Sequence, residues 1–122
     1  MADKTRLLLI DDEDTIRTLL ANELAAHGYE VEEAASGQAG LEKIAGARFD
    51  LVVLDIRMPE MDGLEVLKNI RAQNVALKVV MLTGVDELKI ARDSLQLGAN
   101  DFMTKPFELK NLIACISRVL KE

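Results

Sequence analysis

Short apolar runs that stop at an acidic or polar residue, each followed by an amphipathic stretch, recur along the whole chain. Arg6-Leu7-Leu8-Leu9-Ile10 stops at Asp11 and Asp12, residues 49–54 at Asp55, residues 79–82 at Thr83 and Gly84, and residues 100–103 near Thr104, Lys105 and Pro106. Runs this short and continuous suit strands buried on both faces. Residues 29–34 make a weaker, more polar strand whose consecutive glutamates mark an edge. Between the strands the apolar spacing turns helical. Ile16, Leu19, Leu20 and Leu24 predict a helix over 13–26 that Gly28 ends through a left-handed backbone position. Ser36 is placed to cap a second helix carrying Ala39, Leu41, Ile44 and Ala45, closed near Gly46. Pro59 and Gly63 bracket a turn ahead of Leu64, Val66, Leu67 and Ile70. A fourth helix is expected over 86–97, with Asp86 in position to cap it and Gly98 to close it. The last carries Leu109, Leu112, Ile113, Ile116, Val119 and Leu120. Strands alternating with helices at short connections predict an α/β fold, an open parallel sheet covered on both faces. The expected architecture is a flavodoxin-like (βα)5 three-layer sandwich with strand order 2-1-3-4-5, and one domain over 1–122.

Composition narrows the class. With 49% apolar and 30% charged residues the chain can bury a core and keep a charged surface. Its formal charge of -6 argues against a protein that coats nucleic acid or anionic membrane. A lone cysteine, Cys115, excludes an intrachain disulfide and a cysteine-cluster metal site. No apolar run has the length of a membrane span, and the first residues lack the apolar region of a signal peptide. A cytoplasmic location is therefore expected, with no direct nucleic-acid contact and no membrane insertion.

Position is more informative than composition. Asp11, Asp12, Asp55, Thr83 and Lys105 all fall at or just after the C-terminal ends of predicted strands. In an open α/β sheet those ends share one rim, and ligands bind where the strand order reverses. With strands one and three adjacent there, Asp11, Asp12 and Asp55 would converge. Two carboxylates about 4 Å apart repel by roughly 4 kcal/mol at an effective dielectric of about 20. Either some become protonated or a cation offsets them. Hard oxygen donors without histidine or thiolate suit Mg²⁺ or Mn²⁺, and the Ca²⁺ loop pattern is absent. Asp55, ending the most apolar strand, is the candidate nucleophile: a carboxylate oxygen can attack phosphorus to give an aspartyl-phosphate. The metal and the Lys105 ammonium would offset charge on the transferring oxygens, and Thr83 would donate its hydroxyl to one of them. Gly84 is expected to keep the approach open.

Each residue alone has an ordinary reading. Asp11 and Asp12 serve equally as helix caps or first-turn acids. Thr83 suits a strand for being β-branched, and Lys105 is by itself a solvated lysine. The weight lies in all of them sharing one rim. Elsewhere His27, at the end of the first helix, reads as structural or surface, and Cys115 as packing in or near the core. Met58 and Met61 are expected to pack under the turn around Pro59. The glycines form no dinucleotide fingerprint and no Walker motif is present.

Four segments together carry a closer likeness: Leu9-Ile10-Asp11-Asp12-Glu13, residues 54–63 (Leu-Asp-Ile-Arg-Met-Pro-Glu-Met-Asp-Gly), Leu82-Thr83-Gly84, and residues 98–107 (Gly-Ala-Asn-Asp-Phe-Met-Thr-Lys-Pro-Phe). In that order and at those distances the chain resembles the receiver domain of two-component response regulators over essentially its whole length. The resemblance implies Asp55 as phosphoacceptor and Thr83 and Lys105 as holders of the phosphoryl group. It implies Mg²⁺ bound directly by Asp12 and Asp55, by Asp11 mainly through water, and by the backbone carbonyl of Arg57. A cis Lys105–Pro106 bond is expected. Phe102 falls at the aromatic switch position, where the ring moves inward as Thr83 shifts; without a hydroxyl it lacks the hydrogen bonds a tyrosine would offer. Arg57 and Val85 match positions flanking the path of attacking water; an arginine there can cover the phosphoryl group or form an ion pair nearby, and Val85 offers no acid or amide to guide water, so slow self-dephosphorylation is expected.

The expected function is that of a phosphorylation-activated switch rather than a metabolic enzyme. Its partners would be a sensor histidine kinase or a histidine phosphotransfer protein upstream. Downstream, a protein of unknown identity would dock on the face made by the fourth helix, fifth strand and last helix. Ile90 and Leu97 are expected on that helix's outer side. The chain would act as a monomer or a phosphorylation-dependent dimer. Since it ends right after the last helix, no effector is expected to follow, the alternative being a receiver excised from a longer transcriptional or enzymatic regulator. A Mg²⁺-dependent phosphatase is disfavoured because Arg57 stands where that chemistry needs an aspartate. A receiver-like adaptor would need a broken site, and no matched residue is missing.

Overall fold

A computed structural model describes residues 4–74 and 76–122 of the chain. The domain span expected over 1–122 takes in residues 1–3 and 75, which lie outside the described residues. Strands β1 (Arg6–Ile10), β2 (Glu30–Ala34), β3 (Leu51–Asp55), β4 (Lys78–Gly84) and β5 (Asp101–Lys105) alternate with helices α1 (Asp14–Ala26), α2 (Gly37–Gly46), α3 (Gly63–Gln73), α4 (Leu88–Gln96) and α5 (Leu109–Leu120). A single 3-10 turn, Val85–Glu87, precedes α4. All strand pairs are parallel and the order is β2-β1-β3-β4-β5. This is the flavodoxin-like arrangement.

Strand alternation builds two cores. Successive residues point to opposite faces, so Leu8, Ile10, Val52, Leu54, Val79 and Met81 pack with Val66, Leu67 and Ile70 of α3 and Ala91 of α4. Their neighbours Leu7, Leu9, Leu51, Val53, Val80 and Leu82 pack with Ala21 and Leu24 of α1 and Leu112, Cys115, Ile116 and Val119 of α5. The chain steps one way from β1 to β2 and the other way through β3 to β5. Crossovers of one hand then put α1 on one face and α2–α4 on the other, and the reversal falls between β1 and β3.

Local signals explain most boundaries. Ser36 Oγ accepts the Ala39 N–H at 3.1 Å and caps α2, and Asp62 caps α3 by accepting the Glu65 N–H at 3.0 Å. Gly28 and Gly98 close α1 and α4 at φ +95° and +108°. As the edge strand, β2 carries its glutamates in ion pairs: Glu32 with Arg6 and Lys43, Glu33 with Arg17. Met58 is buried and Met61 packs on the same core, under the turn.

Several expectations shift. β3 begins at Leu51 rather than 49, because Asp50 pairs with Arg6 through both its backbone N–H and its carboxylate. β4 and β5 run further than expected and pair to their last residues, Thr83 with Thr104 and Gly84 with Lys105. The fourth helix starts at Leu88, and Asp86 does not cap it: the Glu87 carboxylate takes the Gly84 N–H instead, at 3.1 Å, and tightens the entry into a 3-10 turn. Ile90 is half-buried against the core, not on the outer side of α4; the exposed apolar residues there are Leu88, Leu95 and Leu97.

Candidate functional site

The ends of β1, β3 and β5 deliver the polar residues to one place. Asp11, Asp12 and Asp55 each present a carboxylate oxygen within 4.8 Å of the others. Asp11 and Asp55 are buried, and Asp12 is exposed at the rim. Lys105, at the end of β5, lays its Nζ 3.5 Å from Asp55 Oδ1 and 3.9 Å from Asp11 Oδ2, bridging the two buried carboxylates. The Lys105–Pro106 peptide bond is cis.

Asp11 is not the cap of α1, whose N-cap is Glu13 with no side-chain bond. Its Oδ1 accepts the Glu13 N–H at 2.9 Å, which aims the other oxygen into the cluster. That oxygen, Oδ2, is buried without a hydrogen-bond partner. With the Lys105 ammonium 3.9 Å away, too far to hydrogen-bond it, this buried acceptor is costly, and a hard cation among three carboxylates would satisfy it. Asp11, Asp12 and Asp55 are thus the residues able to hold a divalent ion, and oxygen-only donors fit Mg²⁺.

The Asp55 carboxyl is pushed up to about 6 from an ordinary value of about 3.9. Burial is the main cause; Lys105 pulls the other way, the Asp11 charge adds to the rise, and the Arg57 backbone N–H opposes it. The Asp55 carboxyl is therefore held in a partly desolvated state beside an ammonium.

Close backbone packing supports it. A Cβ on Gly63, the first residue of α3, would lie 2.5 Å from the Asp55 carbonyl oxygen and 2.7 Å from the Ile56 Cα. Only glycine lets α3 begin this near, where its N–H reaches the Ile56 carbonyl at 2.8 Å.

Thr83 is buried at the end of β4, and its hydroxyl donates towards the Gly84 and Glu87 carbonyls at 3.2 and 3.4 Å. Its proton is thus engaged by the 3-10 turn rather than by Asp55. Gly84 has a further local role: a Cβ there would meet the Asp86 and Glu87 carboxylates at 2.9 and 3.2 Å, so the glycine makes room for the turn. Arg57 is exposed, its Nε donating to Glu87 Oε2 at 2.9 Å and its Nη2 3.9 Å from Asp86. The Glu87 hydrogen bond, then its charge, raises the guanidinium above its usual range. Val85 is exposed beside them, and Phe102 is half-buried with its ring on the core under α4.

Glu87 is the residue the sequence reading missed. Its signal was a carboxylate three places after Gly84, the spacing at which a side chain returns to a helix's first N–H. His27 is exposed, with Nδ1 2.9 Å from the Glu23 carbonyl oxygen, and Cys115 is buried with its thiol pushed up to about 11, mainly by burial. Beside Lys105 lies an open apolar groove of about 400 Å³ lined by Ile16, Leu19, Leu20, Pro106 and Phe107. No described helix is long and apolar enough to cross a membrane.

Known proteins share this sequence and fold. Residues 7–117 match the family model described as the response regulator receiver domain. The chain is 40% identical over 116 residues to the alkaline phosphatase synthesis transcriptional regulatory protein PhoP of Bacillus subtilis, covering 95% of this chain and 48% of that one. It is 38% identical to the regulatory protein AtoC of Escherichia coli, covering 95% of this chain and 25% of AtoC. It therefore spans about a quarter to a half of these curated relatives. The crystal structure of the Vibrio cholerae chemotaxis protein CheY4 superposes with a TM-score of 0.89 at 33% identity, covering 96% of this chain and 99% of that one. Sequence, sheet order and acidic rim agree on one assignment: this chain belongs to the response regulator receiver domains of two-component systems.

Proposed function

We propose that the chain is a cytoplasmic switch that accepts a phosphoryl group on Asp55. The observation that carries the reading is the meeting of three carboxylates within 4.8 Å with the Lys105 ammonium 3.5 Å from Asp55. The donor is the phosphohistidine of a sensor histidine kinase or a histidine phosphotransfer protein, or a small phosphodonor. An Asp55 oxygen attacks phosphorus, the bond from phosphorus to the imidazole nitrogen breaks, and the imidazole regains a proton as it leaves. Lys105 stays beside the phosphoryl oxygens and offsets their charge, and Thr83 turns its hydroxyl to one of them. Asp11, Asp12 and Asp55, with the Arg57 carbonyl, would hold Mg²⁺, which when bound neutralises charge on the transferring group. The apolar groove beside Lys105 receives the protein that carries the phosphohistidine.

The output surface is the face of α4, β5 and α5, where Leu88, Leu95 and Leu97 are exposed and Phe102 is half-buried. A downstream protein, or a second copy in a phosphorylation-dependent dimer, docks there. Its affinity changes only by the difference between the two conformations.

Intact mass after incubation with Mg²⁺ and phosphoramidate tests the chemistry. Wild type is expected to gain one phosphoryl group and Asp55→Asn none; equal gain in both would overturn the assignment. The phosphorylated form should decay slowly, because Arg57 shields the group and Val85 guides no water. A lifetime of seconds, unchanged in Arg57→Ala and Val85→Glu, would remove that reasoning.

One observation favours a second reading. Because the chain spans only a quarter to a half of PhoP and AtoC, it also fits the receiver portion of a longer regulator. Reading the transcript past the Glu122 codon decides between them.

A further inference from the structure

The proposed chemistry leaves one buried charge unused. Glu87 is 8% exposed, yet its carboxylate is bonded on both oxygens. Oε1 takes the Gly84 N–H at 3.1 Å and Oε2 takes the Arg57 Nε at 2.9 Å. Its backbone carbonyl shares the Thr83 hydroxyl, at 3.4 Å, with the Gly84 carbonyl at 3.2 Å. One residue therefore ties the end of β4, the loop after β3 and the start of α4.

Two of those attachments involve groups the phosphorylated state needs. The Thr83 hydroxyl has a single proton, so while it points to the turn it cannot also donate to a phosphoryl oxygen. The Arg57 guanidinium projects from the second residue after Asp55, in the loop that leaves the end of β3. A phosphoryl group on Asp55 brings close to two negative charges at neutral pH, against the single charge of Glu87. If Arg57 transfers to it, Glu87 is left as a buried carboxylate without its cation, a state that drives the side chain towards water.

We propose that Glu87 is a latch on the unphosphorylated conformation: Arg57 exchanges from the Glu87 carboxylate to the phosphoryl group on Asp55, and the broken pair releases Thr83 and the start of α4 together. Glu87 is a positioning residue, acting through Arg57 and Thr83 without touching the phosphoryl group. The inference rests on Asp55 being the phosphoacceptor.

The test compares wild type, Glu87→Gln, Arg57→Gln and the double variant in Mg²⁺ and phosphoramidate. Phosphoryl uptake is followed by intact mass, and amide exchange is followed over residues 83–90. Glutamine keeps an oxygen for the Gly84 N–H and replaces the oxygen that accepts from Arg57 with an NH2 group, which removes the charge and the Arg57 bond together. Glu87→Gln is expected to take up the group about tenfold faster, the size of one charge-assisted hydrogen bond. Arg57→Gln frees the same segment but lacks the cation that moves to the phosphoryl group, so it should take up the group more slowly than Glu87→Gln, and the double variant should be no faster than Arg57→Gln. Residues 83–90 should exchange in unphosphorylated Glu87→Gln as they do in phosphorylated wild type, whereas a contact that only holds the turn would raise exchange without speeding uptake. Arg57 lies on the surface, so its variant probes the same bond even if Glu87→Gln melts early. No mass gain in wild type overturns the Asp55 reading and the latch with it. Normal wild-type gain with unaltered rates and exchange in both single variants overturns the latch alone.

Discussion

Asp55 concentrates the conflict in this molecule. Burial raises its carboxyl to about 6 despite the nearby Lys105, so the charged form costs stability in the absence of a cation. The folded state keeps a proton there between about pH 4 and 6 that the unfolded chain has already lost. The contribution is thus fully favourable below about pH 4, falls as pH rises through 6, and leaves its full cost above that. Asp55→Asn is expected to be more stable than wild type by about 3 kcal/mol at pH 7.5 in chelator-containing buffer. That gap should shrink towards zero near pH 4. Urea titrations at both pH values check it, and a gap independent of pH would rule out the buried carboxylate as its source.

At the scale of elements, the site depends on how closely two of them approach and on what α1 leaves uncovered. Gly63 lets α3 start against the Asp55 carbonyl, and the obstructing atoms are backbone, which cannot swing aside. Gly63→Ala is therefore expected to cost about 1–3 kcal/mol in denaturant melts and to weaken Mg²⁺ binding as Asp55 is displaced. On α1, Ile16 and Leu19 are 40% and 60% exposed, unusual for large apolar side chains beside a polar rim, and they line the groove next to Lys105. Leu19→Asp should slow phosphoryl transfer from a phosphorylated protein donor at least tenfold. Uptake from phosphoramidate, which needs no such surface, should stay at the wild-type rate. Equal slowing with both donors would mean that the groove serves the fold and not the partner.

For the molecule as a whole, β3 is the beam on which both cores rest. Val52 and Leu54 fill one layer, Leu51 and Val53 the other, and all four are buried. Truncating any of them leaves a void between the sheet and a helix layer that close packing cannot refill. Leu54→Ala is expected to lower unfolding free energy by about 2–5 kcal/mol. Because Leu54 adjoins Asp55, Mg²⁺ affinity should fall with it. Chemical denaturation and a Mg²⁺ titration monitor the two losses.

The order of elements, the two-sided burial and the acidic rim were legible in the residues alone, because alternation of apolar runs, strand-terminal polar residues and glycine or serine signals are local properties. Asp11, Asp12, Asp55 and Lys105 could be assigned to one rim from topology, since parallel strands must all point their C-terminal ends the same way. What tertiary structure alone decided was how side chains choose among competing partners. The start of α4 moved because the Glu87 carboxylate, not Asp86, reaches the Gly84 N–H. Ile90 turned inward and Leu88 and Leu95 outward because a short helix rotates to satisfy the core it covers. The Thr83 hydroxyl faces the turn and Arg57 reaches across to Glu87, thirty residues away. No periodicity encodes such pairings, because they depend on distances between segments that only packing sets.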